Sequence, residues 1–226
     1  PLLADWDTPY ETPPFHLFKT GHYKEAIEAA IKKASEEIDS ITGDSDPPTF
    51  ENTVAALDRC GERLGLVSSV LFNLNSSETS RELQVVAQEV SPLLARFSND
   101  ITLNEKLFAR LKTIYESRHH LNLSREQMML TEKKYRNFLL GGALLNEKDR
   151  NRFREISEEL SNLSLKFEEN VLEETNSFEL HITRSEDLAG LPAGIVETAG
   201  IEAGKRGKTG WVFTLHSPSY IPFLKY

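Results

Sequence analysis

Between Phe153 and Val171 the apolar residues Phe153, Ile156, Leu160, Leu163, Phe167 and Val171 recur at steps of three, four, three, four and four. That spacing returns to one face of a 3.6-residue helix for about five turns, and no strand or loop can reproduce it. Asn146 stands where an N-cap is needed, so a long amphipathic helix is predicted from there on. Any fold open to this chain must accommodate that rod. The same period appears earlier: Ile27, Ile31, Ala34, Ile38 and Ile41 predict a helix from His22 to Ile41, closed by the Gly43-Asp44-Ser45-Asp46-Pro47-Pro48 loop.

Thr49 is placed to cap a second helix running through Val54, Leu57, Leu64 and Leu71 to Leu74. Gly61 and Gly65 fall inside it. Each costs roughly 1 kcal/mol relative to Ala, which suggests close approach by a neighbouring helix. Arg81 to Asn99 and Asn104 to Ser117 read as two more helices, with Pro92 marking a break or kink. Ser124 and Gln127 form a capping-box pattern opening a helix to about Phe138, and Gly141-Gly142 supplies the turn before the long helix.

The period changes after Thr175. Phe178, Leu180 and Ile182 alternate with polar residues, and Trp211 to Leu215 is a second strand candidate, with a short helix between Asp187 and Gly207. The predicted fold is mainly α with a small β element near 178–183 and 211–215. Three regions are expected: an extended Pro/aromatic arm over 1–20 packed on the body, a helical domain over 21–175, and a β-plus-helix segment over 176–226.

Composition narrows the function. The chain has 226 residues, 39% hydrophobic and 27% charged, with a net charge of −9. That is an ordinary globular balance. The acidic excess and the lack of a basic patch argue against a nucleic-acid partner, because such binding runs on Lys/Arg–phosphate contacts. No apolar run reaches the roughly 18 residues that a membrane span needs. A lone Cys60 makes no intrachain disulfide and no thiolate metal site. The start at Pro1, without Met or a leader pattern, and the stop at Tyr226 read as cut ends. A cytoplasmic location is expected, with a periplasmic or exported one as the alternative.

No self-contained catalytic motif is present. His16, His22, His119, His120, His181 and His216 include no H-E-x-x-H pair. Phosphate-cradling glycine loops and a G-x-S-x-G elbow are absent. His119-His120 read as a surface pair at a helix end, and Cys60 as a small buried hydrophobe. Glu158-Glu159, Glu168-Glu169 and Glu173-Glu174 read as the solvated face of the long helix. Asn75, Asn122 and Asn162 head glycosylation sequons, a weak signal in a helical chain of unknown compartment.

A collinear series of phrases carries a resemblance. It includes Thr8-Pro9-Tyr10 to Pro13-Pro14-Phe15, His22-Tyr23, Glu37-Ile38, and Pro48-Thr49-Phe50-Glu51-Asn52-Thr53 with Leu57. Asn104 with Leu107-Phe108, Gly142-Ala143 with Leu145, and Phe167 with Asn170 follow. Leu188 to Gly190-Leu191-Pro192 and Trp211 to Leu215 with Pro218-Ser219-Tyr220 complete it. In that order the phrases resemble the N-terminal third of the thimet-oligopeptidase family, on the branch of oligopeptidase A and peptidyl-dipeptidase.

The resemblance implies the antiparallel helical N-terminal lobe of a two-lobed zinc peptidase that cleaves short peptides, with the lobe shaping and gating the channel. It implies zinc held by H-E-x-x-H and a downstream Glu, all beyond Tyr226. No catalytic, cofactor-binding or metal residue is therefore assigned in this chain, which is expected to be inactive alone. Its expected partners are short peptide substrates of the parent protein and, within that protein, a catalytic half against which it packs. A stand-alone helical module that binds a protein or peptide, and a pseudo-peptidase, are the alternative readings.

Overall fold

The apolar period of 22–41 yields α1, Gly21–Gly43, in a computed structural model that describes residues 1–226. Tyr23, Ala26, Ile27, Ala30, Ala34, Ile38 and Ile41 are its buried residues. Three alanines at four-residue spacing keep one stripe low, which lets neighbouring helices come close. The chain divides into two compact units, 1–165 and 166–226.

The first unit is built around α1. Thr49 caps the next segment as predicted: its hydroxyl accepts from the Asn52 N–H at 3.1 Å, while Asn52 Oδ1 accepts from the Thr49 N–H at 2.7 Å. The opening turn is a π-helix, Phe50–Ala55, running into α2, Ala56–Arg59. The expected unbroken helix through Gly61 does not form. Cys60 is extended and Gly61 sits at φ 72°, so α3, Glu62–Ser77, starts anew. Glycine adopts that left-handed conformation without a Cβ penalty. Two contacts tie the break to α1: the Gly61 N–H donates to Glu37 Oε2 at 2.9 Å, and Cys60 Sγ donates to the Ala34 carbonyl at 3.4 Å. Close approach therefore holds at Gly61, where a Cβ would lie 3.6 Å from that of Ala34, but not at Gly65, which faces open space.

Ser80 caps α4, Arg81–Thr102, and Pro92 lies inside it without ending it, so of the expected break or kink the break does not occur. Proline removes one donor, but buried Val90 before it and half-buried Leu94 and Phe97 after it anchor the helix on both sides. Asn104 caps α5, Glu105–Ser117, and the predicted Ser124/Gln127 box opens α6, Arg125–Leu140. Asn146 Oδ1 accepts from the Asp149 N–H at 3.0 Å and caps α7, Glu147–Ser177.

Two apolar clusters fill the first unit. One joins Ile27 and Ala30 of α1 with Val67 and Leu71 of α3 and Leu83 and Val90 of α4. The other joins Ile38 and Ile41 with Val54, Leu107, Leu111, Ile114 and Phe138. The N-terminal arm is not simply extended. It makes two short 3-10 turns, Pro9–Glu11 and Phe15–Leu17, and packs through Leu2, Trp6 and Phe18 while Tyr10 is 98% exposed.

In the second unit, β1 (Leu180–Ile182) pairs antiparallel with β2 (Trp211–Phe213), with Leu180 opposite Phe213 and Ile182 opposite Trp211. Gly210, at φ 88°, leads into β2 where a Cβ would collide with the Ile182 carbonyl. Between the strands lies α8, Ala193–Lys205, and α9, Ser217–Lys225, follows β2. Leu188, Ala199 and Phe213 form the small core of this unit, with Trp211 and Phe223 packed on it. The mainly α architecture with a two-stranded element is the one predicted. No helix is long and apolar enough to cross a membrane.

Candidate functional site

The apolar stripe that defines α7 points outward. Ile156 is 47% exposed, Leu160 60%, Leu163 57%, Phe167 69% and Val171 49%, and Leu165 is the helix's single buried residue. The periodicity located the helix correctly; the reading of its acidic residues as the solvated face does not hold throughout. Glu158 and Ser161 are half-buried and face α4: Ser161 shares a hydrogen bond with Ser91 at 2.7 Å, and Glu158 meets Arg96 at 4.0 Å. Arg154 pairs with Asp100 at 3.5 Å, and Arg150 with Glu105. The polar side of α7 thus meets the body, and the apolar side meets solvent. Apolar exposure recurring along one helix face is uncommon on a protein surface.

Apolar exposure recurs elsewhere within each unit. In the first, Leu140 and Leu144 flank the Gly141-Gly142 turn at 77% and 73% exposed. In the second, Ile221 and Leu224 of α9 stand out at 58% and 66%. None of these positions had been singled out from the sequence, because isolated leucines near a turn carry no periodic signal.

A cleft of about 550 Å³ opens in the first unit between the arm, α1 and the start of α3. Asp5, Trp6, Lys33, Glu37, Arg59 and Glu62 are among its lining residues. Three of its charged side chains are engaged in structure. Glu37 holds Gly61, and Arg63 binds Asp5 and the Ala4 carbonyl. No nucleophile–base pair converges there.

The most densely bonded buried side chain is one that sequence reasoning missed. Arg110 of α5 donates to Thr53 Oγ1 at 3.3 Å, to the Asp44 and Asp46 carbonyls at 2.8 and 3.2 Å, and to Asp44 Oδ2 at 3.3 Å. It fastens the loop after α1 onto α5. Its partners lie up to 66 positions away in the chain, so no local motif announces it.

The candidates named from the sequence stay apart. Cys60 is half-buried, and its thiol is pushed up to about 12, first by burial and then by the neighbouring Glu37 carboxylate. A thiol held protonated in this way is a poor nucleophile. His22 Nδ1 accepts from the Lys19 N–H at 3.2 Å, His181 Nε2 lies 2.6 Å from the Thr209 carbonyl, and His119 and His120 are exposed in the turn after α5. Asn75 is buried and accepts from Thr79, whereas Asn122 and Asn162 are exposed. No three His, Cys, Asp or Glu side chains gather as a group that could hold a metal ion.

Comparison with known proteins gives one consistent picture. A family model described as Neurolysin/Thimet oligopeptidase, N-terminal domain matches residues 27–150. Dipeptidyl carboxypeptidase of Salmonella typhimurium is 32% identical over 225 residues, covering 99% of this chain and 33% of that protein. Oligopeptidase A of Escherichia coli is 29% identical, covering 100% and 33%. The organellar oligopeptidase A of Arabidopsis thaliana is 30% identical, covering 100% and 29%. The chain spans about a third of the length of these relatives.

Proposed function

The chain belongs to the neurolysin/thimet oligopeptidase family, and from that premise we propose that it forms the non-catalytic N-terminal lobe of an enzyme that hydrolyses short peptides. The observation that carries this reading is the outward apolar stripe of α7. A helix whose polar side is spent on its own body and whose apolar side is open is half of an interface. The other half is supplied by the remainder of a protein about three times as long, as in the relatives. The lobe would then wall one side of a substrate channel, limiting the length of peptide admitted, and movement of the lobe would gate entry.

Zinc belongs to this proposal only through residues outside the chain. Bound zinc supplies Lewis-acid polarisation of the scissile carbonyl and an acidified water. The residues present here do not fit such an ion: the histidines are scattered, and no three potential ligands converge. The role of this chain is to position and enclose.

The test is to place charge on the stripe of the intact protein. Leu160→Glu together with Phe167→Glu is expected to abolish hydrolysis of short peptides while leaving the helical content of the lobe intact. Full activity in that variant would overturn the reading. The melting temperature of the 226-residue chain is expected to be unmoved by stoichiometric zinc or by EDTA, and a clear shift would place a metal site within it.

A further inference from the structure

The outward face of α7 is narrow and regular. Phe153, Leu160 and Phe167 stand seven residues apart, and Ile156 and Leu163 fall between them at the same spacing. That is a strict heptad, with the first set at its a places and the second at its d places. A helix that meets a broad core carries a wider apolar face, with an e or g place added to a and d. Here both borders of the stripe turn polar at once. On one side are Arg152, Glu159 and Lys166 at the g places, and on the other Ser157 and Ser164 at the e places. The repeat closes after Phe167, because the next d place is exposed Asn170. From Phe153 to Phe167 it is about 21 Å long.

The charges bordering the stripe are unspent. Glu159 and Lys166 are exposed and enter no ion pair, and Arg152 reaches only Glu155 of the same helix, at 2.8 Å. Along the border they read basic, acidic, basic at seven-residue steps. The inner side of α7 is different: Arg150, Arg154 and Glu158 each have a partner on α4 or α5. In paired helices the e and g places carry the charges that set partner choice and orientation. The serines on the opposite border are small, so a neighbour can come close there. The relatives are about three times as long as this chain, which leaves ample sequence to supply such a neighbour.

We propose that the element covering the stripe is a single α-helix of about four turns, laid along α7 as in a two-stranded coiled coil, whose flanking residues read acidic, basic, acidic against Arg152, Glu159 and Lys166. This rests on the reading that the stripe is covered in the intact protein, and it specifies the cover as a helix rather than a sheet or a loop. Phe153, Leu160 and Phe167 are then knobs that enter holes on the partner, with the two axes crossing at about 20°. The apolar repeat supplies the adhesion, and the bordering charges fix the register, so that the lobe and its partner meet in one alignment.

The experiment is a cysteine scan of α7 in the intact protein, in a Cys60→Ser background, read as thiol-labelling rates. Ile156→Cys, Leu160→Cys, Leu163→Cys and Phe167→Cys sample the stripe, while Glu155→Cys and Asn162→Cys sample exposed positions off it. Protection at all four stripe positions and free labelling at the other two are expected. Charge changes are then made beside the Leu163→Cys reporter. Glu159→Lys or Lys166→Glu is expected to speed its labelling about fivefold, Glu159→Gln about twofold and the off-stripe control Asn162→Lys not at all. Those differences should vanish at about 1 M salt, where the screening length falls to about 3 Å. Protection that skips a stripe position or spreads to Glu155→Cys and Asn162→Cys would overturn the paired helix and leave a covered stripe. So would a charge reversal with no more effect than the control. Free labelling at all four stripe positions would sink the covered stripe and the paired helix with it.

Discussion

Helices α4 and α7 are both long and amphipathic, and they meet opposite fates. In α4 the apolar residues Leu83, Ala87 and Val90 lie at 6%, 0% and 0% exposure, turned to the core, and the charged residues Arg96 and Asp100 reach out to α7. In α7 the charged side is turned to the body, and Leu160 and Leu163 remain about three-fifths exposed. The two sequences obey the same periodic rule. Periodicity identifies which residues share a face, but it says nothing about which side of the helix the chain's own core occupies. That choice depends on what else is present to be packed against.

The contrast can be broken most severely at a buried position. Leu83→Ala on α4 is expected to cost about 2–5 kcal/mol in chemical denaturation, the usual range for emptying a filled core site. A loss near zero would mean that α4 is not anchored as described. Next in size is the buried polar hub. Arg110→Met removes four hydrogen bonds around the loop after α1 and should cost about 1.5–3 kcal/mol, as for hydrogen bonds to charged groups. Its counterpart between α4 and α7, Arg154→Met, should cost at most about 1 kcal/mol, because the pair with Asp100 is exposed. Smallest of all is Leu160→Ala on α7. In the 226-residue chain it should fall within about 0.5 kcal/mol of the unchanged protein, although leucine to alanine is the same change that is costly on α4.

Much of the fold was legible because its signals are local. Thr49, Ser80, Asn104, Ser124 and Asn146 each have the short polar side chain that satisfies free N–H groups, and each stands at a helix start; three of the five caps, Thr49, Ser124 and Asn146, are legible as caps in the sequence. The strands near Leu180 and Trp211 followed from alternation. What was not legible depends on distant partners. The break at Gly61 is stabilised by Glu37 and Ala34 across to α1, so a continuous helix was the natural reading of the local pattern. Pro92 by itself signals a break or kink, and the residues that hold α4 together on both sides of it are packed by distant α1 and α3. The prolines of the N-terminal arm forbid an α-helix, which points to an extended segment, but they permit the 3-10 turns that form.

The candidate site was less legible than the fold for the same reason. Its apolar residues were identified individually, but their exposure is a property of the assembled chain. The family phrases supplied what physical reading of 226 residues could not, namely the likeness to about a third of the length of oligopeptidases. The geometry in turn supplies what the phrases did not, namely which face of α7 is apolar and open.

The most direct test of this account is the labelling rate of a thiol placed at Leu163→Cys in a Cys60→Ser background, compared between the 226-residue chain and the intact protein. Fast labelling in the chain and strong protection in the intact protein are expected if the stripe is a docking face. Equal, fast labelling in both would contradict it and leave α7 as a solvent-facing helix with no partner.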